Sequence, residues 1–133
     1  MTRHLLASFR AAPIVKLLGA KLRIPSAGRA EVRVPFRRAT LQATGVVHGS
    51  IIGFAADTAG YFAAASTLDG PAATSEFKIH FLAPLTGACR AVGRVVRRGR
   101  RLVVTEMRTF DGRGRLISIA LGTYVPIGGE VSS

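Results

Sequence analysis

The chain has 133 residues, 48% of them hydrophobic, and 19 basic against 7 acidic side chains give a formal net charge of +12. That length fits one domain with a core of its own, expected over 1–133, and the basic balance points to an anionic partner such as nucleic acid, a membrane surface or a phosphorylated small molecule. The single Cys89 excludes an internal disulfide and fits a reducing, cytoplasmic setting, and neither it nor His4, His48 and His80 has metal-ligand spacing, so no metal or separate cofactor is expected.

In chain order, residues 1–18 read as an N-terminal helical segment. A short amphipathic helix around Arg3–Ala11 would pack Leu5, Leu6 and Phe9 inward, Pro13 interrupts it, and another turn follows near Ile14–Leu18. Pro13 and the lack of a clean small-residue cleavage site argue against a targeting peptide. Lys21–Pro25 and Arg29–Phe36 look like a hairpin around Ser26-Ala27-Gly28, with Val32, Val34 and Phe36 alternating against Glu31, Arg33 and Arg37. Thr40–Val47 reads as loop and Gly49–Thr67 as one long helix, ended by Asp69-Gly70-Pro71. Phe77, Ile79 and Phe81 then alternate with Glu76, Lys78 and His80. Ala88–Arg97 and Leu102–Phe110 flank a turn at Gly99, and Arg115–Val125 follows the hairpin signal Asp111-Gly112-Arg113-Gly114. The predicted order is helix, two strands, long helix, four strands: an α+β fold with an antiparallel β-sheet wrapped around a long central helix.

The long helix carries the chemistry. Between Arg38 and Asp69 the one formally charged side chain is Asp57. A carboxylate in such an apolar stretch costs several kcal/mol of lost hydration unless it is paired or protonated. Ile51–Leu68 is long enough to span a bilayer, but its Ala, Gly, Ser and Thr content and the central Asp57 argue against a membrane span. At spacings of three and four, Ser50, Gly53, Asp57, Gly60 and Ala64 form a small-residue stripe. Each interior glycine costs ~1 kcal/mol against alanine, so either tight packing on a neighbour or close approach of a ligand is expected there. At the helix start, Gly49 would offer an unpaired N–H at the positive end of the dipole, suited to a carbonyl oxygen. His48 and Asp57 lie roughly 13 Å apart along the axis, too far for one site within one subunit. Two such helices antiparallel across a two-fold axis would bring the helix start of one to the Asp57 of the other, which predicts a homodimer with two shared sites.

Gly45-Val46-Val47-His48-Gly49-Ser50, then Ala56-Asp57-Thr58-Ala59, then Phe77-Lys78-Ile79-His80-Phe81-Leu82-Ala83-Pro84 resemble the hotdog-fold thioesterases of the phenylacetyl-CoA thioesterase (PaaI-like) group, over about Gly19 to Pro126. The resemblance implies that Asp57 is the catalytic carboxylate, as general base or nucleophile. It makes Gly49 N–H the donor to the thioester carbonyl and His48 the residue orienting that region. Thr74 lies where members carry a Ser or Thr that assists the water, with Ser75 adjacent as the rival register. Ser50 replaces the family's second glycine and Gln42 its asparagine, and both count with Ser75 as substrate-contacting positions. Phe54 and Tyr61 would border an acyl group held between helix and sheet. Arg97 and Arg98, from a cluster with Arg90, Arg94, Arg100 and Arg101, would meet the phosphates of coenzyme A, which enters as part of the substrate.

The expected activity is hydrolysis of an acyl- or aryl-acyl-CoA thioester by a homodimer or dimer of dimers. The alternatives are a non-catalytic acyl-CoA-binding module and a hotdog enoyl-CoA hydratase or dehydratase. Nucleic acid is not the expected partner: tryptophan is absent and the Phe residues alternate inward, leaving no stacking platform.

Overall fold

The computed structural model describes residues 2–127; residue 1 and residues 128–133, part of the single-domain expectation over 1–133, lie outside the described residues. Helix α1 (Thr2–Ala11) is followed at once by α2 (Pro13–Leu18), because Pro13 cannot continue the first helix but suits the opening turn of a second. Gly19, at φ +70°, ends α2 in the left-handed conformation that glycine adopts without strain. Strands β1 (Lys21–Ser26) and β2 (Arg29–Val34) follow, then α3 (Gly49–Ala65), then β3 (Ala72–Phe81), β4 (Cys89–Arg98), β5 (Val103–Asp111) and β6 (Leu116–Pro126). The strands form one six-stranded antiparallel sheet in the order β1-β2-β4-β5-β6-β3. No described helix is long and apolar enough to cross a membrane.

Helix α3 lies against the middle of this sheet. Its sheet-facing residues are alanines: Ala55, Ala56, Ala59, Ala63 and Ala64 are completely buried. Small side chains let the helix backbone settle close to the strands. At Gly93 of β4 the two backbones are so close that a Cβ atom would stand 2.5 Å from the Ala59 carbonyl oxygen. The space between helix and sheet is therefore filled with packed protein. That corrects the expectation that an acyl group sits there: alanine and glycine faces bring the two layers too close to leave a cavity.

Three local expectations also shift. Strand β2 ends at Val34 because Pro35 has no N–H to give the ladder, so Phe36 is exposed rather than inward. Strand β3 starts four residues earlier than its alternation suggests, and Phe81, read as inward, is exposed beside Gly49. The arginine cluster is divided. Arg90 joins Arg23 and Arg33 around Glu31, at 3.4, 3.5 and 3.0 Å, while Arg94 and Arg108 share Glu106. Burial works against ionising Glu31, yet these guanidinium groups outweigh it and hold its carboxyl below the usual range. Cys89, at the start of β4, is buried, and burial pushes its thiol up to about 11.

Candidate active site

Asp57 sits in the third turn of α3, half-buried, at the base of a cleft of about 280 Å³ between α3 and the N-terminal helices. Its Oδ1 accepts a hydrogen bond from the Thr74 hydroxyl at 2.9 Å and lies 3.1 Å from the Tyr124 hydroxyl. That hydroxyl also reaches the Asp57 carbonyl oxygen at 3.2 Å. Among the described residues nothing donates to Oδ2, so one carboxylate oxygen is anchored and the other is free toward the cleft. Burial raises the carboxyl above its ordinary range, and the Thr74 and Tyr124 bonds pull it partway back. Burial, reinforced by the neighbouring Asp57 charge, pushes the Tyr124 phenol far up, so it stays protonated and remains a donor.

The strand register decides which hydroxyl reaches Asp57. Between Thr74 and Glu76 the pairing of β3 with β6 slips by one residue, leaving Ser75 as the bulged, unpaired position. Thr74 pairs with Tyr124 across the strands, and both hydroxyls converge on Asp57. Ser75 is exposed and makes no such bond. Tyr124 is a functional-site candidate that the sequence reading missed. Its signal was indirect. A Cβ at Gly60, one turn beyond Asp57, would collide with the Tyr124 hydroxyl and stand 2.7 Å from the Met107 sulfur. The glycine in the small-residue stripe thus clears space for a tyrosine on β6. Gly53 is different: its nearest neighbour, the Phe77 ring, would stand at an ordinary 3.9 Å.

The start of α3 forms a second locus. His48 is the N-cap, and its Nδ1 accepts the Ser50 N–H at 3.1 Å, which places the ring proton on Nε2. The Ser50 hydroxyl also lies 2.8 Å from Nδ1, so both polar groups of Ser50 are turned to His48. The Ile51 N–H bonds the His48 carbonyl. Gly49 N–H is left without an acceptor among the described residues, and Gly49 shares a cavity of about 470 Å³ with Gln42 and Phe81. Gln42 is held there by backbone bonds to Val46 and Gly45.

Within one chain, then, the structure gathers Asp57, Thr74, Phe54 and Tyr61 in one cleft and Gly49, Gln42, His48 and Ser50 around another. Gly49 and Asp57 are about 12 Å apart along the helix axis. Arg97 and Arg98 join neither group: Arg98 donates to the Thr67 carbonyl beyond the far end of α3.

Residues 44–118, more than half of the chain and including His48, Gly49, Asp57 and Thr74, match the family described as the thioesterase superfamily. The chain belongs to the thioesterase superfamily. "Putative esterase SSO2140" of Saccharolobus solfataricus is 35% identical over 117 residues, covering 86% of this chain and 84% of that protein. A thioesterase family protein of Silicibacter pomeroyi superposes with a TM-score of 0.86 at 31% identity, covering 92% of this chain and 95% of the other. The PaaI protein of E. coli, from the phenylacetic acid degradation operon, gives 0.86 at 24% identity, with 92% and 90% covered, and so shares the fold. This thioesterase has the hotdog architecture expected from its motifs, and it is a thioester hydrolase.

Proposed function

We propose that the thioester is an acyl-CoA, hydrolysed by water that Asp57 activates. The observation that carries this reading is the Asp57 carboxylate itself, anchored through Oδ1 by two hydroxyls and open through Oδ2 to an apolar cleft. Oδ2 takes a proton from water as the water oxygen attacks the carbonyl carbon. The carbonyl oxygen gains negative charge and is held by Gly49 N–H and the start of α3. Collapse expels the thiolate of coenzyme A, which recovers a proton from the Asp57 carboxyl, leaving a free carboxylic acid. A thiolate leaves without strong acid help, because thiols ionise near pH 8.5. Continuous assay of thiol release from short, medium, long and aryl acyl-CoAs tests the reading. Turnover on at least one of them is expected; binding of every acyl-CoA without turnover would turn the assignment to a binding module.

The separation of Gly49 from Asp57 supports a homodimer in which each site takes Gly49 from one protomer and Asp57 from the other. Subunit mixing checks this. Asp57→Asn and Gly49→Val chains are each expected to be nearly inactive. Co-refolded in equal amounts they should recover about a quarter of wild-type activity, since half of the dimers then hold one intact site of two. No recovery on mixing would place both groups in one chain's site.

Tyr124→Phe separates holding from chemistry. The lost O–H bond had favoured the charged carboxylate, so its removal raises the Asp57 pKa further. The acid limb of the pH–rate profile is expected to move to higher pH, with turnover on the high-pH plateau reduced only about tenfold. An unmoved acid limb would mean that Asp57 is not the titrating base.

A further inference from the structure

The cleft above Asp57 does not end in solid protein. A second cavity of about 340 Å³ continues it along the groove between α1 and the C-terminal half of α3, toward Asp69, Gly70 and Pro71. Ser8, Tyr61 and Phe62 line both spaces. Of these, Ser8 is small and exposed on α1, and Phe62 is buried with its ring edge-on to Phe9 at 5.8 Å. Tyr61 is the half-buried ring between them, packed edge-on against Phe62 at 5.0 Å and Tyr124 at 6.3 Å. The near cleft is walled by Phe9, Val15 and Phe54, all apolar. At about 30 Å³ for each water-sized group, it holds on the order of nine heavy atoms.

We infer that Tyr61 is the floor of the acyl site and limits this thioesterase to acyl groups of about nine heavy atoms, the second cavity being reachable only when the ring is removed. The inference rests on the acyl-CoA reading above and adds the substrate class and the residue that sets it. Phe54, Asp57, Thr58, Tyr61 and Ala65 follow each other at helical spacing, so an acyl chain leaving the reaction centre along this groove meets the Tyr61 ring one turn on. The barrier is the ring and not its hydroxyl.

The test compares kcat/KM for octanoyl-, phenylacetyl- and palmitoyl-CoA. Wild type and Tyr61→Phe should both favour octanoyl or phenylacetyl over palmitoyl by about tenfold or more, the discrimination expected when a chain overruns its pocket. Tyr61→Ala should raise the palmitoyl-to-octanoyl ratio by at least about tenfold, as the floor opens. Adding Gly70→Trp to Tyr61→Ala should reverse that gain, because Gly70 borders the second cavity and a Cβ there would meet nothing within 4 Å. Tyr61→Leu, which keeps more of the packing, stands in if Tyr61→Ala does not fold. Wild type handling palmitoyl as well as octanoyl, or a ratio that the truncations leave unchanged, overturns the inference. Failure of wild type on every acyl-CoA would instead overturn the activity on which it rests.

Discussion

Asp57→Asn should lose turnover by two to four orders of magnitude while the protein becomes more stable at neutral pH. The first effect follows from removing the general base, whose contribution is typically about 10²–10⁴-fold. Asparagine keeps the shape and can still accept the Thr74 and Tyr124 bonds, so the fold has no reason to fail. The second effect follows from linkage. Burial raises the folded-state pKa of Asp57 above its unfolded value, so the folded protein binds the proton more tightly. Stability from this group is complete below the unfolded pKa and is lost as pH rises through the folded one. At neutral pH wild type therefore carries the cost of a half-buried charge that the variant lacks. Thermal unfolding across pH 3–8 should show the variant ahead at the upper end, its advantage shrinking toward acid. Near-wild-type turnover, or an advantage that grows toward acid, would contradict the role assigned to this carboxylate.

Gly93→Ala should lower the melting temperature by roughly 10 °C, the shift expected from about 3 kcal/mol in a domain of this size. The methyl would stand 2.5 Å from the Ala59 carbonyl oxygen and 2.9 Å from the Gly60 nitrogen. Both are backbone atoms of α3 and cannot rotate away, so the helix itself must move, which puts the cost toward the upper end of ordinary overpacking. The same shift displaces Asp57 and Gly60 from Tyr124, so activity should fall along with stability. Gly87→Ala is the matched control, since its Cβ would meet nothing within 4 Å. Calorimetry of the two variants decides the point. Equal melting temperatures would mean that the helix is not seated as tightly on β4 as described.

The elements of the fold were legible because each carries its own signal. Period-two alternation marks the strands, Pro13 splits the N-terminal helices, and one long apolar segment with a single carboxylate marks the central helix. Asp57 and Gly49 stand out as candidates for a related reason: a lone charge and a glycine at a helix start are local features. The partner of Asp57 was not. Tyr124 lies 67 positions away and reaches the carboxylate because β6 runs beside β3 beneath α3, a fact of sheet order that no local pattern encodes. The choice between Thr74 and Ser75 turned on a bulge, where a slip of one residue sends the neighbouring side chain to the other side of the sheet. The arginines show the converse. Adjacent in sequence, they are separated in space by strand pairing, which sets Arg90 and Arg94 against acids and leaves Arg98 beside Thr67. The acyl group was expected between helix and sheet, bordered by Phe54 and Tyr61. Small side chains instead drew the two layers together, and the open volume lies on the helix's other side, under α1 and α2.

The lone sulfhydryl of the chain has a practical consequence at the bench. Cys89 is only 4% exposed, and burial pushes its thiol up to about 11. Near pH 8 only about one such group in a thousand would be thiolate, the form that reacts with disulfide dyes. A colorimetric reagent that captures liberated coenzyme A should therefore register product alone, without a rising background from the protein and without inactivating it during the run.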